Sequence, residues 1–189
     1  MRTRDGIEWS ATRFLGCGVA ETPAEYVVAR PTVYLDTTIP SFLTAWPSRD
    51  AEKARKQRIT HEWWNLYRWQ FDVCSSNLVR EEAGAGDAIA ADLRLAILDA
   101  FRKVEVKVSA EELAAKLKKG CALTEKANAD TRHVAVAATH GLKFLLTWNY
   151  RHLANDVLRP NMMHICIREG YTCPRIVTPD EIMKLRTHV

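Results

Sequence analysis

The chain has 189 residues, 47% of them hydrophobic and 26% charged, which suits one globular domain with a full hydrophobic core. Its formal net charge of +4 permits an anionic partner such as a nucleic acid but does not require one. The five cysteines are odd in number and form no C-x-x-C pair, which argues against a disulfide framework or a zinc site and predicts a reducing compartment, the cytoplasm. No stretch approaches the ~20 apolar residues of a membrane span, so no membrane association is expected.

The first 30 residues have no clear periodicity, and we expect them to form an N-terminal extension with little regular structure. A domain is expected over residues 31–189. It opens with a short buried strand, Val33 to Leu35, that ends in the carboxylate of Asp36. Thr37 or Thr38 is expected to cap the helix that follows.

Strand and helix patterns then alternate along the chain. Helices are predicted over residues 49–69, 78–83, 87–102, 109–119 and 125–140, and from Thr178 onward, where a capping threonine precedes proline and two acids. Strands are predicted over residues 71–76, 104–108, 144–148 and 164–168. Alternation of this kind predicts a three-layer α/β/α sandwich with a mostly parallel central sheet.

Polar side chains follow several of these strands. In open parallel sheets, ligands bind beyond the carboxyl ends of the strands. Asp36 follows the first strand, Glu81 and Glu82 come one helical turn after the second, and Asn149 follows the strand over residues 144–148. We therefore expect these residues to meet at one edge of the sheet.

Asp130 joins this group by helical periodicity. With His133, Val134, Ala137 and Ala138 it falls on one face of a helix, at the N-terminal end of the buried stripe. A carboxylate placed there is costly unless it is paired, capped or metal-bound. His133 on the same face is interpreted first as a hydrogen-bonded buried histidine and second as a ligand.

Carboxylates that converge at one edge repel one another, and a hard cation relieves the repulsion. Mg²⁺ or Mn²⁺ prefers such oxygen ligands, and the bound metal can activate water for a phosphodiester displacement. Each acid alone has a simpler interpretation, as a turn residue, a helix cap or a solvated helix start.

A basic run between Arg49 and Arg58 is followed by Trp63, Trp64 and Trp69. Such a segment could track an RNA backbone and stack bases. A basic helix face over a tryptophan-filled core, or over a partner interface, explains the pattern equally well.

Four segments in order resemble PIN domains, in particular VapC-type toxins of type II toxin–antitoxin systems. They are V-Y-L-D-T-T at 33–38, S-x-L-V-R-E-E at 76–82, D-T-R-H-V-A-V-A-A at 130–138 and L-L-T-W-N at 145–149. The resemblance implies a Mg²⁺- or Mn²⁺-dependent endoribonuclease that acts on RNA, forms a homodimer and is silenced by a cognate antitoxin protein. It assigns the metal to Asp36, Glu82 and Asp130, with Glu81 as the alternative to Glu82.

The fourth position of the family's acidic pocket departs from the pattern. Asn149 and His152 stand where many members have an acid. Asn149 can still ligate a metal through its carbonyl oxygen or position a water, so it is kept among the catalytic candidates, and Thr147 is expected to add a hydroxyl. With one negative charge fewer, a single metal ion is favoured over two.

Two other hypotheses about the function are compatible with the sequence. The missing fourth acid suggests a catalytically impaired PIN-like module that binds RNA or a protein partner without cleaving. The third hypothesis is a phosphoacceptor domain with Asp36 as acceptor, which needs a lysine at the end of a late strand. Here Lys143 precedes that strand instead of ending it.

Overall fold

The computed structural model describes residues 29–122, 128–149, 153 and 156–185. Within them lie five strands: β1 Thr32–Leu35, β2 Asp72–Ser76, β3 Arg102–Val104, β4 Phe144–Leu146 and β5 Arg175–Val177. The α-helices of the same part are α1 Thr38–Thr44, α2 Ala51–Glu62, α3 Asn77–Ala83, α4 Ala88–Asp99, α5 Val108–Gly120, α6 Asn128–Thr139, α7 Arg159–Arg168 and α8 Pro179–Lys184.

The five strands form one sheet in the order β3-β2-β1-β4-β5, and every neighbouring pair is parallel. In the register, Tyr34 of β1 stands beside Cys74 of β2 on one side and Leu145 of β4 on the other. The predicted fold class is confirmed. The sheet places the ends of β1, β2 and β4 side by side, which is what positions a site.

Side chains of the sheet alternate between two separate cores. Tyr34 and Leu145 point into a core built with α3 to α7, whereas Val33 and Leu146 point into a second core on the opposite face. The second core is completed by residues of α1 and α8 and by Trp63, which follows α2. Because both faces of the sheet are covered by helices, the molecule has the three layers expected of a buried parallel sheet.

Several helices begin where polar capping residues predict. Asp87 accepts a hydrogen bond from the backbone N–H of Ala90 at the start of α4. At the start of α8, Glu181 accepts one from the backbone N–H of Thr178, at 2.8 Å. These contacts satisfy N–H groups that a helix leaves without an internal partner.

Two strand predictions were wrong in position. Residues 164–168, predicted as a strand, belong to α7, and the last strand is β5. The apolar residues of this segment are spaced for a helix, since Met162, Ile165 and Cys166 form its buried face. Of the strand predicted at 104–108 only Val104 lies in β3, and α5 already begins at Val108.

The helix predicted over residues 49–69 is interrupted. After α2, the backbone widens into a π-helix over Trp63–Tyr67 and then tightens into a 3₁₀ turn over Arg68–Gln70. Trp63 is fully buried, while the charged side chains of α2 lie largely on its outer side. For Trp63 this agrees with the interpretation of a basic helix over a tryptophan-containing core.

The predicted extension lies outside the described residues except for Ala29 and Arg30, as do His152 and the predicted helix start near residue 125. In the part of the chain that is described, no helix has the length and apolarity needed to cross a membrane.

The interior strand β4 gives a direct test of this packing. We expect Leu145→Ala to lower the free energy of unfolding by about 2–5 kcal/mol, because it leaves a cavity in the place of a fully buried leucine side chain. Leu66→Ala makes the same chemical change at an exposed position and should alter it by less than about 0.5 kcal/mol. Urea denaturation measures both, and equal effects of the two variants would contradict the assignment of Leu145 to the core.

Candidate metal centre

Asp36 marks the carboxyl edge of the sheet directly after β1. Its backbone N–H donates to the carbonyl of Leu146 at 3.1 Å, which fixes the residue between β1 and β4. The side chain is only 5% exposed. Its Oδ2 accepts hydrogen bonds from the hydroxyls of Thr38, at 2.9 Å, and Thr147, at 2.5 Å. The expectation that Thr147 adds a hydroxyl here agrees with this contact.

The same two threonines also tie the loops together. Thr38 Oγ1 accepts from the backbone N–H of Trp148, and Thr147 Oγ1 accepts from that of Asn149, both at 2.9 Å. Each hydroxyl therefore receives one hydrogen bond and donates another to Asp36. This arrangement fixes the direction of the Asp36 carboxylate and satisfies much of its hydrogen-bonding capacity in a buried place.

Glu82 reaches the same edge from α3. Ser76, the last residue of β2, accepts a hydrogen bond from the backbone N–H of Val79 and so starts this helix. One turn later, the Glu82 carboxylate accepts a hydrogen bond from the Thr37 hydroxyl. Glu81 is exposed, so the structure brings Glu82 and not its neighbour to Asp36.

His133 of α6 lies between the acids and the interior. Its Nε2 is 3.1 Å from Glu82 Oε2 and 3.8 Å from Asp36 Oδ1. On the other side of the ring, Nδ1 is 3.1 Å from the hydroxyl of Tyr34, which lies 2.6 Å from Ser76 Oγ. A doubly protonated imidazole donates from both nitrogens, to Glu82 and to the Tyr34 oxygen, so its ring orientation is fixed from two sides.

The ionisation of these groups is strongly linked. Burial lowers the pKa of His133, but the hydrogen bond to Glu82 and the charges of Asp36, Glu82 and Asp130 outweigh it, so the pKa lies above its ordinary 6.5. Partial burial raises the pKa of Glu82, but the hydrogen bonds and charge of His133, with the Thr37 hydroxyl, bring it below its ordinary 4.5. Burial raises the pKa of the Tyr34 hydroxyl, which therefore stays protonated.

Asp36, Glu82 and His133 together form a possible metal-binding set. Each offers one donor atom, and these three atoms lie within 4.8 Å of one another. The two carboxylate oxygens are ligands that Mg²⁺ and Mn²⁺ prefer, and the imidazole nitrogen is a ligand that divalent first-row transition metals accept.

Asp130 and Asn149 form a second pair at this edge. The amide Nδ2 of Asn149 donates to Asp130 Oδ1 at 2.8 Å. Asp130 lies in the first turn of α6, three residues before His133, and its charge contributes to the raised pKa of that histidine. It is not among the three residues whose donor atoms lie within 4.8 Å of one another. Apart from Glu81, the residues expected at this edge thus fall into two pairs, Asp36 with Glu82 and Asp130 with Asn149.

Two contributors, Thr37 and Tyr34, are not predicted from the sequence as parts of the site: Thr37 is interpreted only as a helix cap and Tyr34 only as part of a strand. His133 is considered as a ligand, but second to its interpretation as a buried histidine. The single available signal was the spacing of His133, three residues after Asp130 on one helix face.

Lys143 bears on the phosphoacceptor hypothesis. It is exposed and immediately precedes β4, so it lies at the amino edge of the sheet, opposite Asp36. A lysine placed there does not reach a phosphorylated Asp36, and the hypothesis loses its main requirement.

Comparison with known proteins adds information about the fold. No family model and no curated protein sequence matches this chain. VapC20 of Mycobacterium tuberculosis, described as a sarcin–ricin loop cleaving toxin, is similar in structure, with a TM-score of 0.51 and 19% identity over 66% of this chain and 95% of that one. VapBC2 of Rickettsia felis, bound to a promoter DNA fragment, gives a TM-score of 0.50 and 13% identity over 78% of this chain and 98% of that one. The expected likeness to VapC-type toxins is confirmed for the fold.

The ion pair of Glu82 with His133 predicts a pH dependence of stability. The histidine pKa is raised, so its contribution is complete below pH 6.5 and is lost as the pH rises through the folded-state value. The glutamate pKa is lowered, so its contribution is present above pH 4.5 and is lost as the pH falls through the folded-state value. With metal chelated, the pair therefore stabilises the protein most between these two values.

Glu82→Gln should flatten the decline in the free energy of unfolding above pH 6.5, as measured by urea denaturation in EDTA. Glu81→Gln removes the same charge from an exposed neighbour and should keep the wild-type profile. An unchanged slope in Glu82→Gln would show that the pair does not couple to folding.

Proposed function

We propose that this chain is a metal-dependent endoribonuclease of the VapC-type PIN family, the toxin of a toxin–antitoxin pair, which hydrolyses RNA phosphodiester bonds with metal-activated water. The observation that carries the proposal is the cluster of Asp36, Glu82 and His133 at the carboxyl edge of a parallel sheet. A likeness in fold to VapC structures supports it, as does the order of the sequence motifs.

The donor set fits a divalent cation. Asp36 is buried beside Glu82, and two carboxylates so placed are stabilised by a cation between them. Carboxylate oxygens suit Mg²⁺ and Mn²⁺ alike, whereas an imidazole in the set extends the match towards Mn²⁺ and other transition metals. A bound divalent ion supplies activation of water and neutralisation of charge at the phosphodiester.

The protein's own residues have separate tasks in this proposal. Asp36 and Glu82 would hold the metal, with Asp130 as the third acid named by the motif. His133 would add its Nε2 only in the deprotonated form, in which the metal replaces the proton shared with Glu82. Thr38 and Thr147 direct the Asp36 carboxylate, so they are positioning residues. One of the carboxylates also serves as general base towards the attacking water.

Asn149 bears on the number of metal ions. Its amide donates to Asp130, and a neutral residue in that place adds no charge to hold a second cation. We therefore propose one tightly held ion, with Asn149 orienting Asp130 or a water.

The proposed role requires an RNA substrate, a second copy of the chain and an antitoxin protein as partners. A toxin of this kind would act on RNA in the cytoplasm as a homodimer, and its activity would be blocked by a cognate antitoxin. The cleavage described for the M. tuberculosis protein is the model for the RNA substrate proposed here.

The alternative is a PIN-like module that binds RNA or protein without cleaving. The Asn149 to Asp130 hydrogen bond favours it, since a neutral amide stands at the fourth position and takes up an oxygen of the third acid. A protein that binds RNA equally in EDTA and in Mn²⁺, and never cleaves it, would establish the alternative.

The cleavage assay separates these possibilities. We expect RNA cleavage in Mg²⁺ or Mn²⁺ and none in EDTA. Asp36→Asn and Asp130→Asn should each lower the cleavage rate at least about 100-fold, since even indirect partners of a metal are worth 10- to 100-fold.

Glu81→Gln is the control for this assay, because it removes an exposed acid one position from Glu82. It should cleave at the wild-type rate, as followed by gel electrophoresis of a labelled RNA. If Asp36→Asn and Asp130→Asn cleave as fast as the wild type, the assignment is wrong.

Restoring an acid at the fourth position gives a prediction in the opposite direction. Asn149→Asp places a carboxylate against Asp130, so it should lower the Tm in EDTA through like-charge repulsion. Added Mn²⁺ should then raise the Tm of the variant by more than it raises that of the wild type.

Asn65→Asp, at an exposed position, makes the same substitution away from the site and should leave both values unchanged. Thermal unfolding followed by circular dichroism measures the effect. A variant whose Tm responds to Mn²⁺ no more than that of the wild type would mean that residue 149 does not face the metal.

A further inference from the structure

A concave region lies at the amino edge of the sheet, opposite the metal centre. β1, β2 and β3 are parallel neighbours, so the residues just before each of them come together there. They line a cavity of about 470 Å³, which falls within the ~300–1,000 Å³ range of small-molecule sites. Three arginines contribute to its walls: Arg30 before β1, Arg68 before β2 and Arg102 at the start of β3.

The charges of this cavity are unbalanced. Asp72 is the acidic residue of the lining, and it pairs with Arg102 at 3.0 Å. No carboxylate of the described residues lies within 4.0 Å of the guanidinium groups of Arg30 and Arg68. Neither of these two positive charges thus has an anionic partner among the described residues, and an anionic ligand would offset them.

Arg68 is held in place by aromatic rings. Its guanidinium carbon lies 4.5 Å from the ring centre of Trp64 and 5.7 Å from that of Phe101. Its Nε is buried and has no hydrogen-bond acceptor among the described residues. A stacked guanidinium is pre-organised for a planar or tetrahedral anion, since little side-chain freedom is lost on binding.

The backbone leading to Arg68 is itself unusual. The π-helix over Trp63–Tyr67 ends immediately before it, and a 3₁₀ turn carries Arg68 and Trp69. Short π-helical turns are rare and frequently lie at functional sites. Here the irregular segment presents a guanidinium and an indole to the same cavity.

Trp69 supplies an aromatic surface beside the arginines. The residue is 63% exposed, although its indole N–H donates to the carbonyl of Leu66 at 2.8 Å, which fixes the ring. An exposed indole held rigidly next to guanidinium groups suits a base stacked on the ring, with phosphate on the cations. An acidic peptide would pair its carboxylates with the arginines but has no base to stack on the indole, so we expect it to bind less tightly than a nucleotide.

We propose that this cavity binds a nucleoside phosphate, with the phosphate held by Arg30, Arg68 and Arg102 and the base stacked on Trp69. The same chemistry is offered by a free mononucleotide and by one nucleotide of a single-stranded RNA. The site is separate from the metal centre and does not depend on the proposed nuclease activity.

Binding is measured in EDTA at neutral pH, so that no cleavage intervenes. The probes are adenosine 5′-monophosphate, adenosine, a short fluorescent oligoadenylate and an oligoglutamate peptide. The full chain should bind both phosphate-containing nucleotides, and should bind adenosine and the peptide at least about tenfold more weakly. Oligoadenylate that binds at least tenfold more tightly than the monophosphate identifies RNA as the source, and equal affinities identify the free nucleotide.

Arg30→Gln and Trp69→Leu change exposed side chains, so both variants are expected to fold. Each should weaken nucleotide binding at least about fivefold, and Arg30→Gln should also reduce the salt dependence of oligoadenylate binding. Arg168→Gln, at an exposed arginine on α7 outside the cavity lining, is the matched control and should bind as the wild type does.

Three results would overturn the proposal: no nucleotide binding by the wild type, equal weakening by Arg168→Gln, or tighter binding of the acidic peptide. Asp36→Asn tested in parallel distinguishes the two sites. It should lose cleavage and keep nucleotide binding here, so failure of one proposal does not imply failure of the other.

Discussion

A carboxylate buried at the end of a central strand is unfavourable unless hydrogen bonds and nearby positive charge compensate for the lost water. Asp36 is in this position, and residues of several surrounding elements stabilise its carboxylate. Thr38 and Thr147 donate to one of its oxygens, and His133 lies 3.8 Å from the other. The loops after β1 and β4 are thereby fixed to each other.

The same constraint reaches into the core. His133 stays beside the acids because Tyr34, on the central strand, lies within hydrogen-bond distance of its other nitrogen and of Ser76. Ser76 also starts the helix that carries Glu82. A buried polar network of this kind, with members on the four elements β1, β2, α3 and α6, links the orientation of the acids to the packing of the sheet.

Much of this could be predicted from the sequence because it follows from local patterns. Alternation of strands and helices gives the three layers, and the rule for parallel sheets brings Asp36, Glu82 and Asn149 to one edge. The contact of His133 with the acids could not be predicted as firmly as the position of Asp36. A histidine on the inner face of a helix gives the same sequence pattern whether it binds a ligand or only fills the core.

Other features depend on tertiary contacts that leave no local signal. Within 164–168 the apolar residues are consecutive, a run that fits a short buried strand as well as a helix, and the helical spacing emerges only with Met162 of the preceding turn. The π-helix after α2 could not be predicted from the spacing of apolar residues. It begins with Trp63, which packs in the core, and it ends just before Arg68 and Trp69, which line the cavity at the amino edge of the sheet. Arg30 and Arg102 are far apart in sequence and meet there only because β1 and β3 belong to one parallel sheet.

The central claim is that Asp36 and Glu82 hold a divalent metal at the carboxyl edge of the sheet. Anomalous scattering from a crystal soaked in Mn²⁺ tests it directly. The account predicts one strong peak about 2.1 Å from a carboxylate oxygen of Asp36 and of Glu82, with Asp130 or His133 as the next neighbour. A crystal without a peak at these side chains, or with its metal bound elsewhere on the chain, would contradict the account.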